Sequence, residues 1–418
     1  MRLLESFLDQ HTKVDALWER ISKQSTAEQN RSCRGRVLAA LRYGHLLDRL
    51  IDLSCKRPPK SRLRALLLIA GGEWLASGLS VPDPALLARC ANHAVETAKQ
   101  HLSTGEARFV NALLRRWPEI LQTHFPTTNS RLLASCPKPL LQRWQKQFDE
   151  SQLLALLEWN LGESRNWLYY PNAQAIPAEP LTPGPWPDFF ELPAGPIDPA
   201  IANLMAQGKA YIKDPSTRVA VEALDLQPGE SVLDLCAAPG GKSFHIAHAL
   251  QFKGQLVAVD LPGNRQLRLT DNLTRLQRGS FAPKAVAADL LQVETADLLK
   301  AEYASEGFSK VLIDVPCSNT GVLRRRPDIS WRLDKAAFAT LEPLQRELLA
   351  TAARCVALNG TLVYSTCSIE ADENNDRIEA FLASEAGRDF RLEVGEVHYP
   401  WQSGHDGGGV FRLKRIGQ

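Results

Sequence analysis

The chain has 418 residues, 44% of them apolar and 23% charged, with 49 Lys and Arg against 47 Asp and Glu. This composition excludes wholesale disorder, and the length predicts two or three domains. The apolar runs are too short to cross a bilayer, and the N-terminal residues lack the apolar stretch of a signal peptide. Eight cysteines without a C-x-x-C pair indicate reduced thiols and no metal site. We therefore expect a cytoplasmic protein.

The near-neutral total hides an uneven distribution of charge. Residues 1–150 carry 23 basic and 14 acidic side chains, whereas residues 151–418 carry 26 basic and 33 acidic ones. The basic side chains cluster from Arg31 to Arg42 and from Lys56 to Arg64. Such clusters bind phosphates in a salt-sensitive way, although a solvated helix face has the same composition. The basic first third makes RNA a candidate partner.

Helical periodicity dominates the first part of the chain. Apolar residues recur at helical spacing over 36–51, 64–75, 84–95 and 109–116, and no alternating run interrupts them. Residues 1–125 are thus predicted to form an all-α domain. Residues 126–210 are predicted to be a connecting region, with helices over 140–161 and a proline-rich linker or irregular wrap over 171–200.

From residue 211 to residue 418, strands are predicted to alternate with helices. The predicted strands are 231–235, 255–260, 285–289, 310–314 and 361–366, and the helices between them include one from 344 to 358. This order predicts an α/β domain with a mostly parallel, doubly wound sheet. Ligands bind at the carboxyl ends of such strands, where Asp234, Asp260, Asp289, Asp314 and Cys367 are expected.

A glycine-rich turn follows the first predicted strand. It reads Cys236, Ala237, Ala238, Pro239, Gly240, Gly241 and Lys242, which fits neither the dinucleotide nor the P-loop spacing. Small residues at a helix N-terminus allow an anionic ligand to approach the backbone N–H groups closely. The Asp260 carboxylate is suited to bind two ribose hydroxyls, and the Asp289 carboxylate is suited to accept a hydrogen bond from an adenine amine. The Lys242 ammonium group is suited to bind a carboxylate. The set favours S-adenosylmethionine, whereas each acid alone is as well explained as a helix cap.

Two cysteines are expected at neighbouring strand ends. Cys317 follows Asp314, and Cys367 follows the last predicted strand. The other cysteines outside the glycine-rich turn are interpreted as small buried side chains. Carbon 5 of a pyrimidine becomes nucleophilic only after a thiolate adds to carbon 6, and a second group must then help the thiol to leave. Asp314 is placed to bond ring nitrogen 3.

These segments resemble known motifs. Cys236 to Lys242, Asp314 to Cys317 and Thr366 to Ser368 are similar to motifs of the RsmB/NSUN family of RNA 5-methylcytosine methyltransferases, above all its bacterial small-subunit ribosomal RNA branch. The resemblance extends to residues 324–331 and 404–411, and residues 41–116 resemble a NusB-like RNA-binding domain. It implies a Rossmann-like methyltransferase domain preceded by an all-α NusB-like domain. Val315 and Asn319 differ from the residues usual in the family.

The resemblance also implies roles for single residues. Cys367 is implied as the nucleophile and Cys317 as the group that assists product release. Residues Cys236 to Lys242, Asp260, Asp289 and Asp314 correspond to S-adenosylmethionine positions. The expected partner is RNA, with no membrane and no metal, and the chain is assumed to act as a monomer. Transfer RNA as the substrate and a ribosome-assembly protein with vestigial catalysis are the alternatives.

Overall fold

The computed structural model describes residues 1–21, 26–80, 82–171, 181–193 and 195–417. The chain divides into two compact units, one of Met1–Glu163 with Leu323–Lys335 and one of Ser164–Val322 with Ala336–Gln418. The first division, after Glu163, lies between the predicted boundaries after residues 125 and 210. Within the described ranges, every helix is too short or too polar to cross a membrane. We call the two units the helical unit and the sheet unit.

The helical unit contains α-helices and, within its described residues, no strand, as predicted. Asp83 caps a helix with Pro84 in its first turn, and Ser103 caps the next. A Cβ atom at Gly72 would lie 2.6 Å from the backbone nitrogen of Ala40, so glycine permits this close helix packing. The helices are α1 (Arg2–Gln10), α2 (Val14–Ile21), α3 (Ala27–Arg42), α4 (Gly44–Ser54), α5 (Ser61–Leu75), α6 (Pro84–His101), α7 (Thr104–His124), α8 (Thr128–Ala134), α9 (Lys138–Gln147) and α10 (Glu150–Leu161). The likeness to a NusB domain stays a prediction.

A segment from the second half of the chain completes the helical unit. In Leu323–Lys335, the Trp331 Nε1 donates to the Leu41 carbonyl at 3.0 Å, and its ring stacks on His45 with centroids 4.4 Å apart. A Cβ atom at Gly44 would lie 2.3 Å from this ring. The Trp331 side chain is therefore part of the packing of α3 and α4.

The sheet unit begins with a small antiparallel sheet of order β2-β3-β1-β4. Its core includes Leu168, Phe190 and Ile201. Its elements are β1 (Asn166–Tyr169), β2 (Thr182–Pro183), β3 (Phe189–Leu192), α11 (Pro199–Ala206) and β4 (Tyr211–Ile212). The prediction of a linker or irregular wrap over 171–200 is wrong for β2 and β3, because apolar residues between the prolines supply a core. Residues 172–180 and 194 lie outside the described residues.

The main sheet has seven strands in the order β10-β11-β9-β8-β5-β6-β7. The strands β5 to β9 are parallel, whereas β10 and β11 add an antiparallel edge. The strands are β5 (Ser231–Leu235), β6 (Gln255–Asp260), β7 (Lys284–Ala287), β8 (Phe308–Asp314), β9 (Val356–Thr366), β10 (Phe390–His398) and β11 (Gly408–Arg415). The helices are α12 (Ser216–Glu222), α13 (Gly241–Ala249), α14 (Asn264–Thr274), α15 (Thr295–Tyr303), α16 (Lys335–Arg354), α17 (Asn375–Leu382) and α18 (Pro400–Ser403).

The predicted α/β fold is confirmed, although several elements have other bounds and two strands were not predicted. All five predicted strands are present, and β5 and β6 have the predicted bounds. The helix predicted to reach residue 358 is wrong at its end, because α16 stops at Arg354 and β9 begins at Val356. The strands β10 and β11 were not predicted, and the side chains of β10 are mostly exposed. A solvated edge strand lacks the continuous apolar run that marks a buried parallel strand.

Candidate active site

The two predicted reactive cysteines lie together. Strands β8 and β9 are parallel neighbours with Asp314 opposite Ser365, so the loops after them start side by side. The Sγ atoms of Cys317 and Cys367 are 3.2 Å apart, and both are free thiols. The hydrogen bond with Cys367 and burial raise the pKa of Cys317 well above its ordinary value. Cys317 therefore holds its proton strongly, next to a partly exposed second thiol.

A buried carboxylate fixes the loop that carries Cys317. Glu373 Oε1 accepts from the Ser318 backbone N–H at 2.9 Å and from Gln345 Nε2 at 3.0 Å, and Oε2 accepts from the Ser318 hydroxyl. Gln345 also donates to the Pro316 carbonyl at 3.0 Å. Sequence reasoning missed both residues, because neither belongs to a motif and their partners lie far away in sequence. Both are fully or almost fully buried.

Hydroxyl groups and one glycine join the two cysteine loops. Ser368 Oγ lies 3.0 Å from Ser318 Oγ and 3.2 Å from Thr320 Oγ1. The Gly321 N–H donates to the Cys367 carbonyl at 3.0 Å. A Cβ atom at Gly321 would lie 2.2 Å from the Gly407 carbonyl oxygen, so only glycine fits. The two loops thus form one hydrogen-bonded structure.

Asn319 bridges the same two loops with its carboxamide. Its Nδ2 donates to the Cys317 carbonyl, and its Oδ1 accepts from the Cys367 thiol at 2.9 Å. Its φ of 61° is left-handed, which asparagine tolerates better than most residues. The Asn319 carboxamide therefore contacts both cysteine residues.

The predicted ligand Lys242 has a partner within the chain. Its Nζ lies 2.7 Å from Asp314 Oδ2. Burial alone would lower the pKa of Lys242, but the Asp314 carboxylate outweighs burial and the pKa stands above its ordinary value. Asp314 is thereby held as a hydrogen-bond acceptor beside the thiols. Sequence reasoning brought Lys242 and Asp314 to the same sheet edge but did not pair them.

The glycine-rich turn after β5 is held open by its neighbours. Cys236 and Gly240 have φ values of 58° and 104°, so the backbone turns sharply at both. Asp260 Oδ2 accepts from the Ala238 N–H at 2.8 Å, and Asn272 Nδ2 donates to the Pro239 carbonyl at 2.7 Å. Burial raises the pKa of the Cys236 thiol, which makes it a packing group rather than a reactive one.

Two other acids have different environments. Asp234 is fully buried, and burial raises its pKa to about 7 although Ser243 Oγ donates to it at 2.5 Å. Asp289 accepts from the Leu291 N–H at 3.0 Å and from the Gln292 side chain at 3.3 Å. Asp289 thus caps a turn, and its carboxylate oxygens retain further lone pairs.

These residues fit the expected cofactor. Asp260 uses one carboxylate oxygen to hold the turn, which leaves the other for ribose hydroxyls. Gly240 and Gly241 carry no side chain over the first turn of α13, whose N–H groups favour a carboxylate. The Lys242–Asp314 pair offers an ammonium and a carboxylate to the two charged groups of a methionine moiety. The turn, Asp260 and Asp314 therefore suit S-adenosylmethionine.

Nine basic side chains of the helical unit, from Arg31 to Arg42 and from Lys56 to Arg64, were predicted to bind RNA, but four of them have acidic partners. The pairs are Arg34 with Asp15, Arg36 with Glu73, Arg62 with Glu5 and Arg64 with Asp48. Four side chains of the predicted set are exposed and form no ion pair within the described ranges, namely Arg31, Lys56, Arg57 and Lys60. These four are the better candidates for phosphate contacts.

Residues 324–331 contain three consecutive arginines and Trp331, from which contacts with an RNA strand near the target base would be expected. Trp331 instead packs in the helical unit, and Arg324 donates to the Glu163 carbonyl and lies 4.1 Å over the Trp159 ring. Arg326 pairs with Asp15 at 2.8 Å. This expectation is wrong for the Trp331 ring, because the ring already forms its hydrogen bond with Leu41 and its stacking contact with His45 inside the protein.

The sequence of this chain is similar to those of known proteins. Residues 221–407 match the family described as 16S rRNA methyltransferase RsmB/F. Ribosomal RNA small subunit methyltransferase B of Klebsiella pneumoniae is 33% identical, over 96% of this chain and 92% of the relative. The protein of that name from Photorhabdus laumondii is 30% identical, over 99% and 97%.

Solved structures share the fold. The crystal structure of PH0851 has a TM-score of 0.73 at 23% identity and covers 98% of this chain and 97% of its own. A methyltransferase homologue from Pyrococcus horikoshii has a TM-score of 0.55 at 22% identity, over 67% and 95%. At these identities the likeness concerns the fold alone.

Proposed function

Because the chain belongs to the RsmB/F family of 16S rRNA methyltransferases, and is thus an S-adenosylmethionine-dependent RNA methyltransferase, we propose that it methylates carbon 5 of a cytosine. The proposed route is a covalent bond between Cys367 and carbon 6 of the base. The observation that carries this proposal is the 3.2 Å separation of the Cys317 and Cys367 sulfurs at adjacent strand ends.

The first step assigns the nucleophile. The Cys367 thiolate forms the S–C6 bond, and the electron pair of the C5–C6 bond becomes available at carbon 5. Cys367 suits this role because it is partly exposed, whereas Cys317 is buried and holds its proton. The Lys242–Asp314 pair holds a proton. As the adduct forms, the pair shares this proton with ring nitrogen 3 and thereby stabilises the adduct.

The last step returns the enzyme to its free form. The carbon-5 proton leaves to a base, the S–C6 bond breaks, and the ring double bond re-forms with Cys367 as the leaving group. We assign Cys317 to this step because its sulfur is in contact with that of Cys367. Glu373 supports it by fixing Ser318, the next residue of the loop.

The cofactor is assigned to the turn after β5 and to two strand-end acids. Residues Cys236 to Lys242 form one wall of the cofactor site. Asp260 binds the ribose hydroxyls, Asp289 binds the adenine amine and Asp314 binds the methionine end of the cofactor. When bound, S-adenosylmethionine supplies the electrophilic methyl group that carbon 5 takes up. The roles of these residues are to bind it and to exclude water.

The proposed substrate is small-subunit ribosomal RNA, because the full-length relatives carry that substrate in their names. The exposed cations of the helical unit support an RNA partner without specifying its sequence. Transfer RNA stays the alternative substrate. Bisulfite sequencing of cellular RNA with and without the protein separates them, since only the true target loses its protected cytosine.

Trapping tests the division of labour between the cysteines. Cys317→Ala should accumulate a denaturation-resistant complex with substrate RNA, because attack proceeds and release does not. Cys317→Ala combined with Cys367→Ala should form none, and Cys33→Ala, at an exposed cysteine of the helical unit, should behave as wild type. A complex that persists in the double variant would overturn the assignment of Cys367.

A further inference from the structure

The orientation of the Asn319 carboxamide is set by its surroundings. The Cys317 backbone carbonyl can only accept a hydrogen bond, so the amide group that meets it must be Nδ2. The other end of the carboxamide, Oδ1, is then the atom 2.9 Å from Cys367 Sγ. Oδ1 can only accept, so the Cys367 sulfur must carry a proton for this contact to be favourable.

The three groups form a directed chain of hydrogen bonds. Each thiol has one proton to donate, and that of Cys367 points to Asn319. The 3.2 Å contact between the sulfurs is therefore donated by Cys317. The order is Cys317 to Cys367 to Asn319, which ends on a neutral acceptor. Removing the Cys367 proton would leave the amide oxygen facing a thiolate.

Titratable groups of neighbouring elements also act on this chain of hydrogen bonds, among them Tyr364 of β9, which interacts with Cys317. Lys242 of α13 is electrostatically coupled to Cys367, and Asp314 at the end of β8 neutralises that lysine at 2.7 Å. Glu373, after β9, acts on Cys317. The lysine favours a thiolate, but its charge is shared with a carboxylate. Besides Cys317, Asn319 is the group that forms a hydrogen bond with the Cys367 thiol.

We propose that Asn319 is a positioning residue that keeps Cys367 in its protonated, unreactive form until a substrate displaces the carboxamide. The thiolate is the reactive form towards carbon 6, and it is also the form that oxidants and alkylating agents attack. The free enzyme thus protects its own nucleophile. The consequence for methyl transfer rests on the proposed role of Cys367, whereas the protonation itself does not.

The left-handed backbone of Asn319 decides which variant is informative. Asn319→Gly removes the carboxamide and keeps a φ of 61° accessible, whereas alanine would add strain. Asn359 provides a matched control in the same unit. It has a φ of 59°, is exposed, and lies in β9 outside the cysteine loops. Asn359→Gly therefore makes the same chemical change in the same backbone conformation.

The experiment measures alkylation of Cys367 by iodoacetamide across a pH series, in the full chain without RNA or cofactor. Cleavage after Lys and Arg places Cys317 in residues 311–324 and Cys367 in residues 355–377, which also contain the buried Cys355. Fragmentation of the peptides in the mass spectrometer therefore assigns the alkylated thiol. We expect Asn319→Gly to shift the rate profile of Cys367 to lower pH and to raise the rate at neutral pH about three- to tenfold. Asn359→Gly should leave the profile unchanged.

The shape of the profile separates the proposal from a structural effect. If Asn319 merely covers Cys367, Asn319→Gly will raise the rate by one factor at every pH, and the proposal is overturned. An unchanged profile overturns it as well. A shifted profile combined with a failure to trap RNA on Cys317→Ala would retain the protonation control and reject Cys367 as the nucleophile of methyl transfer.

Discussion

Removing the Glu373 carboxylate should release the loop that carries Cys317. Glu373→Ala leaves the Ser318 N–H and one Gln345 N–H without their acceptor, while the Ser318 hydroxyl can turn to Ser368. A buried donor left unpaired costs about 1–3 kcal/mol, so the two together cost roughly 2–6 kcal/mol. Glu373→Gln keeps one acceptor oxygen and should lose less.

Amide hydrogen exchange measures this loss where it arises. Opening that is easier by about 3 kcal/mol corresponds to exchange about 10²-fold faster in the peptide that contains Ser318. The order of exchange rates should be Glu373→Ala, then Glu373→Gln, then wild type. Glu379→Ala, at an exposed carboxylate of the following helix α17, is the matched control and should match wild type. Unchanged exchange at Ser318 in Glu373→Ala would refute the role given to the carboxylate.

Three further changes test other parts of the molecule. Trp331→Ala should destabilise the helical unit by about 3 kcal/mol, measured by chemical denaturation, because it removes a hydrogen bond and a stacked ring; a neutral result would contradict the packing described. Burial and the nearby Arg49 and Arg64 lower the pKa of His45 to about 3, so stability should fall as pH drops below 6.5 by up to about 1.4 kcal/mol per pH unit, a slope that His45→Phe should remove. Replacing Lys56, Arg57 and Lys60 together by alanine should reduce the salt dependence of RNA binding by about 2 in the log–log slope, whereas Lys99→Ala, at a lysine paired with Glu96, should not.

The catalytic geometry was predictable where it depends on strand ends. The strands β6 and β8 end in Asp260 and Asp314, and β5 carries Asp234 one residue before its end. Parallel order brings those strand ends to one edge of the sheet. That reasoning was sufficient to bring Cys317 and Cys367 to the same edge. It does not specify the 3.2 Å contact, which depends on the loops after the strands.

Other features depend on tertiary packing that no local pattern encodes. Glu373 contacts Ser318 from 55 residues away along the chain, and Gln345 contacts Glu373 from 28 residues away. The charges of Arg36 and Arg64 suggested RNA, but acids elsewhere in the helical unit neutralise them. The strands β2 and β3 of the proline-rich segment were not predicted, because proline is usual in loops and at sheet edges and its frequency indicated an irregular segment.

Because Leu323–Lys335 belongs to the helical unit, a single cut in the chain cannot separate the two units. A cut after Glu163 yields an N-terminal fragment that lacks the Trp331 ring against Gly44, and a C-terminal fragment that carries this ring without its binding surface. Neither fragment corresponds to a unit of the fold. To separate the units, residues 323–335 would have to be replaced in the C-terminal fragment, and the helical fragment would need that segment supplied as a peptide.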